Sequence, residues 1–193
     1  MELKDKKIGF AVTGSFCTLS RTLETLKTLK STGAQITPVL SENVATLDTR
    51  FYKARDFIKD VTDICEVTPI MSITDAEPIG PKKLFDLLIV APCTGNTLAK
   101  ITYGITDTPV TMAVKAHMRN ARPLLIAVST NDGLAGSAKN IGQLMNYKNV
   151  FFVPFTQDDP IKKATSLVAE FEKLTECATL ALDKVQMQPV LIK

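Results

Sequence analysis

The run Leu87-Leu88-Ile89-Val90-Ala91 has no polar face, and Pro92 closes it. A strand that is apolar on both alternating sides belongs in the middle of a parallel sheet covered by helices, since a half-solvated antiparallel strand would alternate. Four other short β-prone runs accompany it: Ile8–Thr13, Ile36–Leu40, Leu124–Ser129 and Val150–Val153. The segments between them carry helical spacing: residues 19–30 with Leu19, Leu23, Leu26 and Leu29, residues 48–60, a helix from about Asn96, one from Thr108 or Pro109 to Arg119, and one over Ala138–Tyr147. Pro160 to about Leu182 is expected to form a long C-terminal helix, whereas residues 61–83, with Pro69, Pro78, Gly80 and Pro81, read mostly as loop. The expected fold is α/β: a single doubly wound, Rossmann-like or flavodoxin-like parallel sheet of five to six strands with helices on both faces, spanning residues 1–193 as one domain.

Composition narrows the function. A net charge of +3, with no basic run longer than pairs such as Lys82-Lys83 or Lys162-Lys163, argues against a nucleic-acid partner. The four cysteines, Cys17, Cys65, Cys93 and Cys177, are widely spaced and form no C-x-x-C pair, so neither zinc nor a disulfide framework is expected and a reducing compartment fits. The start, Met1 to Lys7, is charged, and no apolar run approaches the ~18 residues needed to span a bilayer. A cytoplasmic protein without a membrane role is expected.

In parallel α/β sheets, ligands bind beyond the carboxyl ends of the strands. The strand ends richest in small polar residues are Thr13–Cys17, Cys93–Thr97 and Thr130–Gly133. Thr13-Gly14-Ser15 makes a tight strand-to-helix turn whose free N–H groups suit a phosphate, with the Ser15 hydroxyl as a further donor; the alternative is an ordinary turn in which Ser15 only caps the helix. Cys93-Thr94-Gly95-Asn96-Thr97 crowds polar groups directly behind the apolar strand, either to hold a ligand or to cap a helix through Thr94 or Asn96. Asn131-Asp132-Gly133 is a common turn former. His117, the only histidine, follows Val110 and Val114 on one helix face and reads as a packing or interface residue. There is no Ser-His-Asp or Cys-His arrangement to propose, and a bound cofactor would supply the missing chemistry.

Three stretches carry a family resemblance: Ile8–Ser15, the loop Ala91–Thr97 with Leu98-Ala99-Lys100 behind it, and Gly104-Ile105-Thr106-Asp107. Together they resemble the flavin mononucleotide (FMN)-binding flavoprotein family that includes the homo-oligomeric cysteine decarboxylases, over roughly the first 155 residues. That family's central loop reads P-x-S-A-N-T, and here it is Pro92-Cys93-Thr94-Gly95-Asn96-Thr97. The resemblance implies FMN as cofactor, held by Gly14, Ser15 and Phe16, by Ser41 at the end of the second strand, and by Pro92, Cys93, Thr94, Asn96 and Thr97. It also implies self-association as a trimer or a multiple of one, for which the Val110, Val114 and His117 face is the candidate surface.

The departures from the family pattern bear on activity. The decarboxylases place a catalytic histidine fourteen residues before the loop proline, and ungapped counting from Pro92 falls on Pro78. They carry P-A-M-N where this chain has Val128-Ser129-Thr130-Asn131. Cysteine-type or phosphopantothenoylcysteine-type decarboxylation is therefore the least favoured reading. Glu77–Lys83, the Cys-Thr-Gly form of the loop and Ser129–Leu134 resemble instead a branch of the family found in sporulating bacteria. Its members work beside a nicotinamide-dependent partner to oxidise a cyclic dihydro-dicarboxylate to the aromatic diacid. Two roles follow: an oxidoreductase component active with that partner, or a non-catalytic scaffold that activates it. For the cyclic dicarboxylate, Asn131 and Gly80 rank above Lys82 and Lys83 as contacts, and no catalytic residue is assigned.

Overall fold

The computed structural model describes residues 2–192. Each apolar run becomes a strand: β1 (Lys7–Val12), β2 (Gln35–Leu40), β3 (Leu87–Cys93), β4 (Leu124–Thr130) and β5 (Val150–Phe152). They lie parallel in the order β2-β1-β3-β4-β5, the flavodoxin-like order in which direction reverses between β1 and β3. All seven residues of β3 are buried, as an apolar strand covered on both faces must be.

The helices are α1 (Leu19–Ser31), α2 (Glu42–Thr46), α3 (Ala54–Cys65), α4 (Ile73–Ala76), α5 (Gly95–Tyr103), α6 (Pro109–Met118), α7 (Ala138–Met145) and α8 (Leu174–Leu182). α1 packs with α3 and α8, while α6 packs with α4 and α5, and α5 with α7. Local chemistry sets their ends. Leu19, Leu23, Leu26 and Leu29 turn one face of α1 into the core, and Gly33, at φ +84°, ends the turn after it. Thr108 and Thr111 form a capping box at the start of α6, with Pro109 in the first turn.

The C-terminal third departs from expectation. In place of a long helix from Pro160, the chain forms an antiparallel hairpin, β6 (Phe155–Asp159) and β7 (Lys163–Ala169), before α8. The Asp159 side chain accepts the N–H groups of Ile161 (3.1 Å) and Lys162 (3.0 Å), fixing a turn where a helix start was expected. β7 joins the sheet by pairing antiparallel with the end of β4, at Ser129↔Val168 and Thr130↔Leu167, so the sheet has seven strands rather than five or six. β4 is thus flanked on one side by β3 and on the other by β5 along its first half and β7 along its second.

Irregular chain meets the free edges at a few points. Ile70 bonds to the backbone of β2 at Pro38 and Leu40. The Gln186 side-chain amide donates to Phe152 O and accepts from Phe152 N, both at 2.7 Å, and the tail bonds to Phe155 through Val190 and Ile192.

The face proposed for self-association is not at the surface. Val110, Val114 and His117 are each at most 2% exposed, because α6 turns that face onto the sheet. His117 packs against Phe85, and its Nε2–H donates to Pro123 O at 2.8 Å. Burial pushes the imidazole down from 6.5 to about 4, against the pull of that carbonyl. Between these two values the unfolded chain binds a proton that the folded chain does not, so stability falls as pH drops through this window and is fully retained above it. The expected loss is ~3 kcal/mol. Urea midpoints measured from pH 7 to pH 4 should show this component, and His117→Asn should lack it.

Candidate functional site

The reversal of strand order leaves a crevice beyond the ends of β1, β3 and β4, and a cavity of about 920 Å³ lies there. Its first wall is the turn after β1. Thr13, 1% exposed, joins this turn to the β3 loop: its hydroxyl donates to Pro92 O (2.8 Å) and accepts from Thr94 N (3.1 Å). Ser15 does not cap the helix; its hydroxyl shares a hydrogen bond with that of Ser129 (2.8 Å), linking the β1 and β4 ends. Among the described residues, the backbone N–H groups of Gly14, Phe16 and Cys17 have no acceptor, and all three residues line the cavity. Ser41, at the end of β2, caps nothing with its side chain, and its hydroxyl oxygen is buried without a partner. The neighbouring α2 residue Asn43 approaches Gly14.

The second wall begins at the cis Ala91–Pro92 bond. Thr94 is the N-cap of α5, accepting from Thr97 N, so the capping alternative holds here. The same geometry leaves the Gly95 and Asn96 amides, at a positive helix end, on the cavity side. Gly95 is required by close approach: a methyl group there would fall 2.5 Å from Ser137 Oγ, 2.6 Å from Asp132 Oδ1 and 2.7 Å from Thr130 Oγ1. Those atoms form one cluster, in which Asp132 Oδ1 accepts from Thr130 (2.5 Å) and Ser137 (2.9 Å).

The third wall is the β6–β7 hairpin. Thr165 Oγ1 donates to Asn131 O (2.7 Å), Leu134 N donates to Thr165 O (3.0 Å), and Leu167 packs where Gly133 has no side chain. Asp158, Lys163, Ser166, Leu167 and Val168 face the cavity.

The expected site residues divide into two groups. Gly14, Ser15, Phe16, Thr94, Asn96 and Asn131 line the cavity. Cys93 and Thr97 face inward, at 0% and 7% exposure, and Pro92 and Ser41 are behind the lining. Burial pushes the Cys93 thiol pKa up, which leaves it protonated and unsuited as a nucleophile. Gly80 does not line this cavity: it packs on Ala116 and Arg119, and its carbonyl accepts from Asn120 Nδ2 at 2.9 Å. That is the C-terminal end of α6, whereas the site lies at the opposite end of the sheet. Sequence reasoning missed Asp132 and Thr130, which read only as parts of a turn, and also Arg21, Arg50, Phe51 and the hairpin. For Asp132 the signal was present, as a carboxylate directly after a buried strand.

Comparison with known proteins shows the family and the fold. The B subunit of dipicolinate synthase from Bacillus subtilis (strain 168) is 42% identical over 191 residues, covering 99% of this chain and 96% of the relative. The crystal structure of the corresponding B subunit from Bacillus halodurans superposes with a TM-score of 0.92 at 41% identity, covering 100% of this chain and 99% of that one. The FMN-dependent cysteine decarboxylase SpaF shares the fold at a TM-score of 0.68 and 19% identity, over 95% and 99% of the two chains. The Flavoprotein family profile matches residues 1–181, a span that contains every wall of the cavity, and the chain belongs to that family.

Proposed function

We propose that this chain is the FMN-binding B subunit of a dipicolinate synthase, acting in the cytoplasm beside a nicotinamide-dependent dipicolinate synthase A subunit to oxidise dihydrodipicolinate to dipicolinate during sporulation. The carrying observation is 42% identity over nearly the full length of both chains. The cavity suits the cofactor. Unpaired amides at Gly14, Phe16 and Cys17 and the Ser15 hydroxyl offer neutral donors to a phosphate, with the orphaned Ser41 hydroxyl buried behind them, and no carboxylate stands on that turn. Thr94, the Gly95 and Asn96 amides and Asn131 would then hold the ribityl chain and ring. The reaction removes a hydride and a proton from the dihydro ring, and a bound flavin supplies a hydride acceptor. The residues of this chain bind and orient.

Self-association as a trimer or a multiple of it is part of the same proposal, through surfaces other than the buried α6 face. The scaffold reading is favoured by one observation: the cavity contains no histidine, and its carboxylates are engaged, Asp132 by two hydroxyls and Asp158 by Lys163 at 2.5 Å. The deciding measurement is the visible spectrum of the purified chain, followed by diacid formation with the A subunit present. Stoichiometric flavin and activity that falls on flavin removal are expected. A protein that cannot be loaded with FMN yet still activates the A subunit would establish the scaffold reading instead.

A further inference from the structure

We infer that Arg50, with Phe51 beside it, is the specificity-determining contact for a substrate carboxylate in this cavity, an inference that rests on the function proposed above. The two residues form the tip of the turn between α2 and α3 and line the cavity. The turn is held from within. Thr49 N donates to Tyr52 O (2.9 Å), and the Thr49 hydroxyl accepts from Phe51 N and Tyr52 N (both 3.2 Å). Asp48 Oδ1 accepts from Ala54 N (3.0 Å), and the Tyr52 hydroxyl donates to Asp60 on α3. The side chains of Asp48, Thr49 and Tyr52 are thus engaged by hydrogen bonds within the chain, while Arg50 and Phe51 are left projecting, the guanidinium 4.7 Å from the Phe51 ring centre.

Charge pairing singles out Arg50. Three cationic side chains line the cavity: Arg21, Arg50 and Lys163. Arg21 is paired with Glu172 (2.9 Å) and Lys163 with Asp158 (2.5 Å). Among the described residues, Arg50 has no carboxylate partner. A planar cyclic diacid brings two negative charges and a flat face. A guanidinium takes a carboxylate with two parallel hydrogen bonds, and an adjacent phenyl ring packs on the flat face. Because the turn is already ordered, little conformational freedom remains to be lost on binding. Asn131, whose side chain makes no hydrogen bond among the described residues, stands on another wall of the cavity and can serve the second carboxylate.

The test uses the full chain loaded with FMN, as wild type, Arg50→Ala and Arg50→Lys. Dipicolinate and the monoacid picolinate are titrated by calorimetry, and FMN affinity is measured separately. Arg50→Ala is expected to lose about tenfold or more in dipicolinate affinity, with a smaller loss for picolinate. FMN affinity should be unchanged, which also reports an intact fold. Arg50→Lys should recover part of the loss, keeping the charge without the fork. Equal dipicolinate affinity in wild type and Arg50→Ala would overturn the inference alone. Parallel loss of FMN would overturn it too, assigning Arg50 to the flavin phosphate. If the loaded wild type binds no diacid, the proposed function fails and the inference falls with it.

Discussion

Replacing Ser15 with Asp is expected to weaken FMN binding about a thousandfold, or ~4 kcal/mol. Two effects act in the same direction. The substitution removes a hydroxyl donor from a charged acceptor, a loss of ~1.5–3 kcal/mol. It also sets a carboxylate against a phosphate, and like charges ~4 Å apart near a protein surface repel by up to ~4 kcal/mol per pair. Ser15→Ala separates the two, since it removes the donor alone and should cost roughly tenfold to a hundredfold. It also breaks the bond to Ser129, a tie between the β1 and β4 ends that a carboxylate in the Ser15→Asp variant can still accept. Quenching of flavin fluorescence on titration gives the affinities. A wild-type value for Ser15→Asp would place the phosphate away from this turn.

Gly95→Val is expected to cost ~4 kcal/mol of stability and to lower flavin affinity as well. The added carbon meets three oxygen atoms at 2.5, 2.6 and 2.7 Å, from Ser137, Asp132 and Thr130, and these belong to three different points of the β4 loop and α7 start. None can retreat alone. Thr130 and Ser137 both donate to Asp132 Oδ1, so moving one oxygen breaks bonds that satisfy a half-buried carboxylate. Gly95→Ala should show the same effect at roughly half the size, because its methyl group carries no branches. The urea midpoint checks both. A Gly95→Val midpoint equal to wild type would mean that α5 and the β4 loop do not meet at this point.

The parallel core was legible because burial on both faces leaves a strong mark. β1 to β5 each correspond to an apolar run, and Leu87–Ala91 alone required helices on both sides. The hairpin was not legible, because Asp158-Asp159-Pro160 resembles a helix start as closely as a turn. What decides it is tertiary: Leu167 packs over Gly133, and the end of β4 has backbone groups unmet by the short β5. Local pattern also cannot give the direction in which a residue faces. Val110, Val114 and His117 form an apolar stripe that would suit a partner equally well, but the stripe is satisfied by the chain's own sheet. Gly80 was placed by its position before β3, although a residue entering a strand lies at the far end from the ligand crevice. The motif residues fared better in part. Thr94, Asn96 and Asn131 reach the cavity, whereas Cys93 and Thr97 alternate away from it, a consequence of strand and helix periodicity that the motif alone does not express.

The covered sheet edges limit how this protein can polymerise. An open strand edge is a template onto which any extended peptide can add, which is how folded proteins nucleate fibres and amorphous precipitate. Here the β2 edge carries a proline with no N–H to offer and is met by Ile70, the β5 edge is stoppered at Phe152 by the Gln186 carboxamide, and the β6 edge by the tail at Val190 and Ile192. Each stopper is a short piece of chain that can exist only in the folded protein. At these positions strand addition is therefore closed to the native state and opens only when a stopper detaches, whereas β6 beyond Phe155 pairs only with β7.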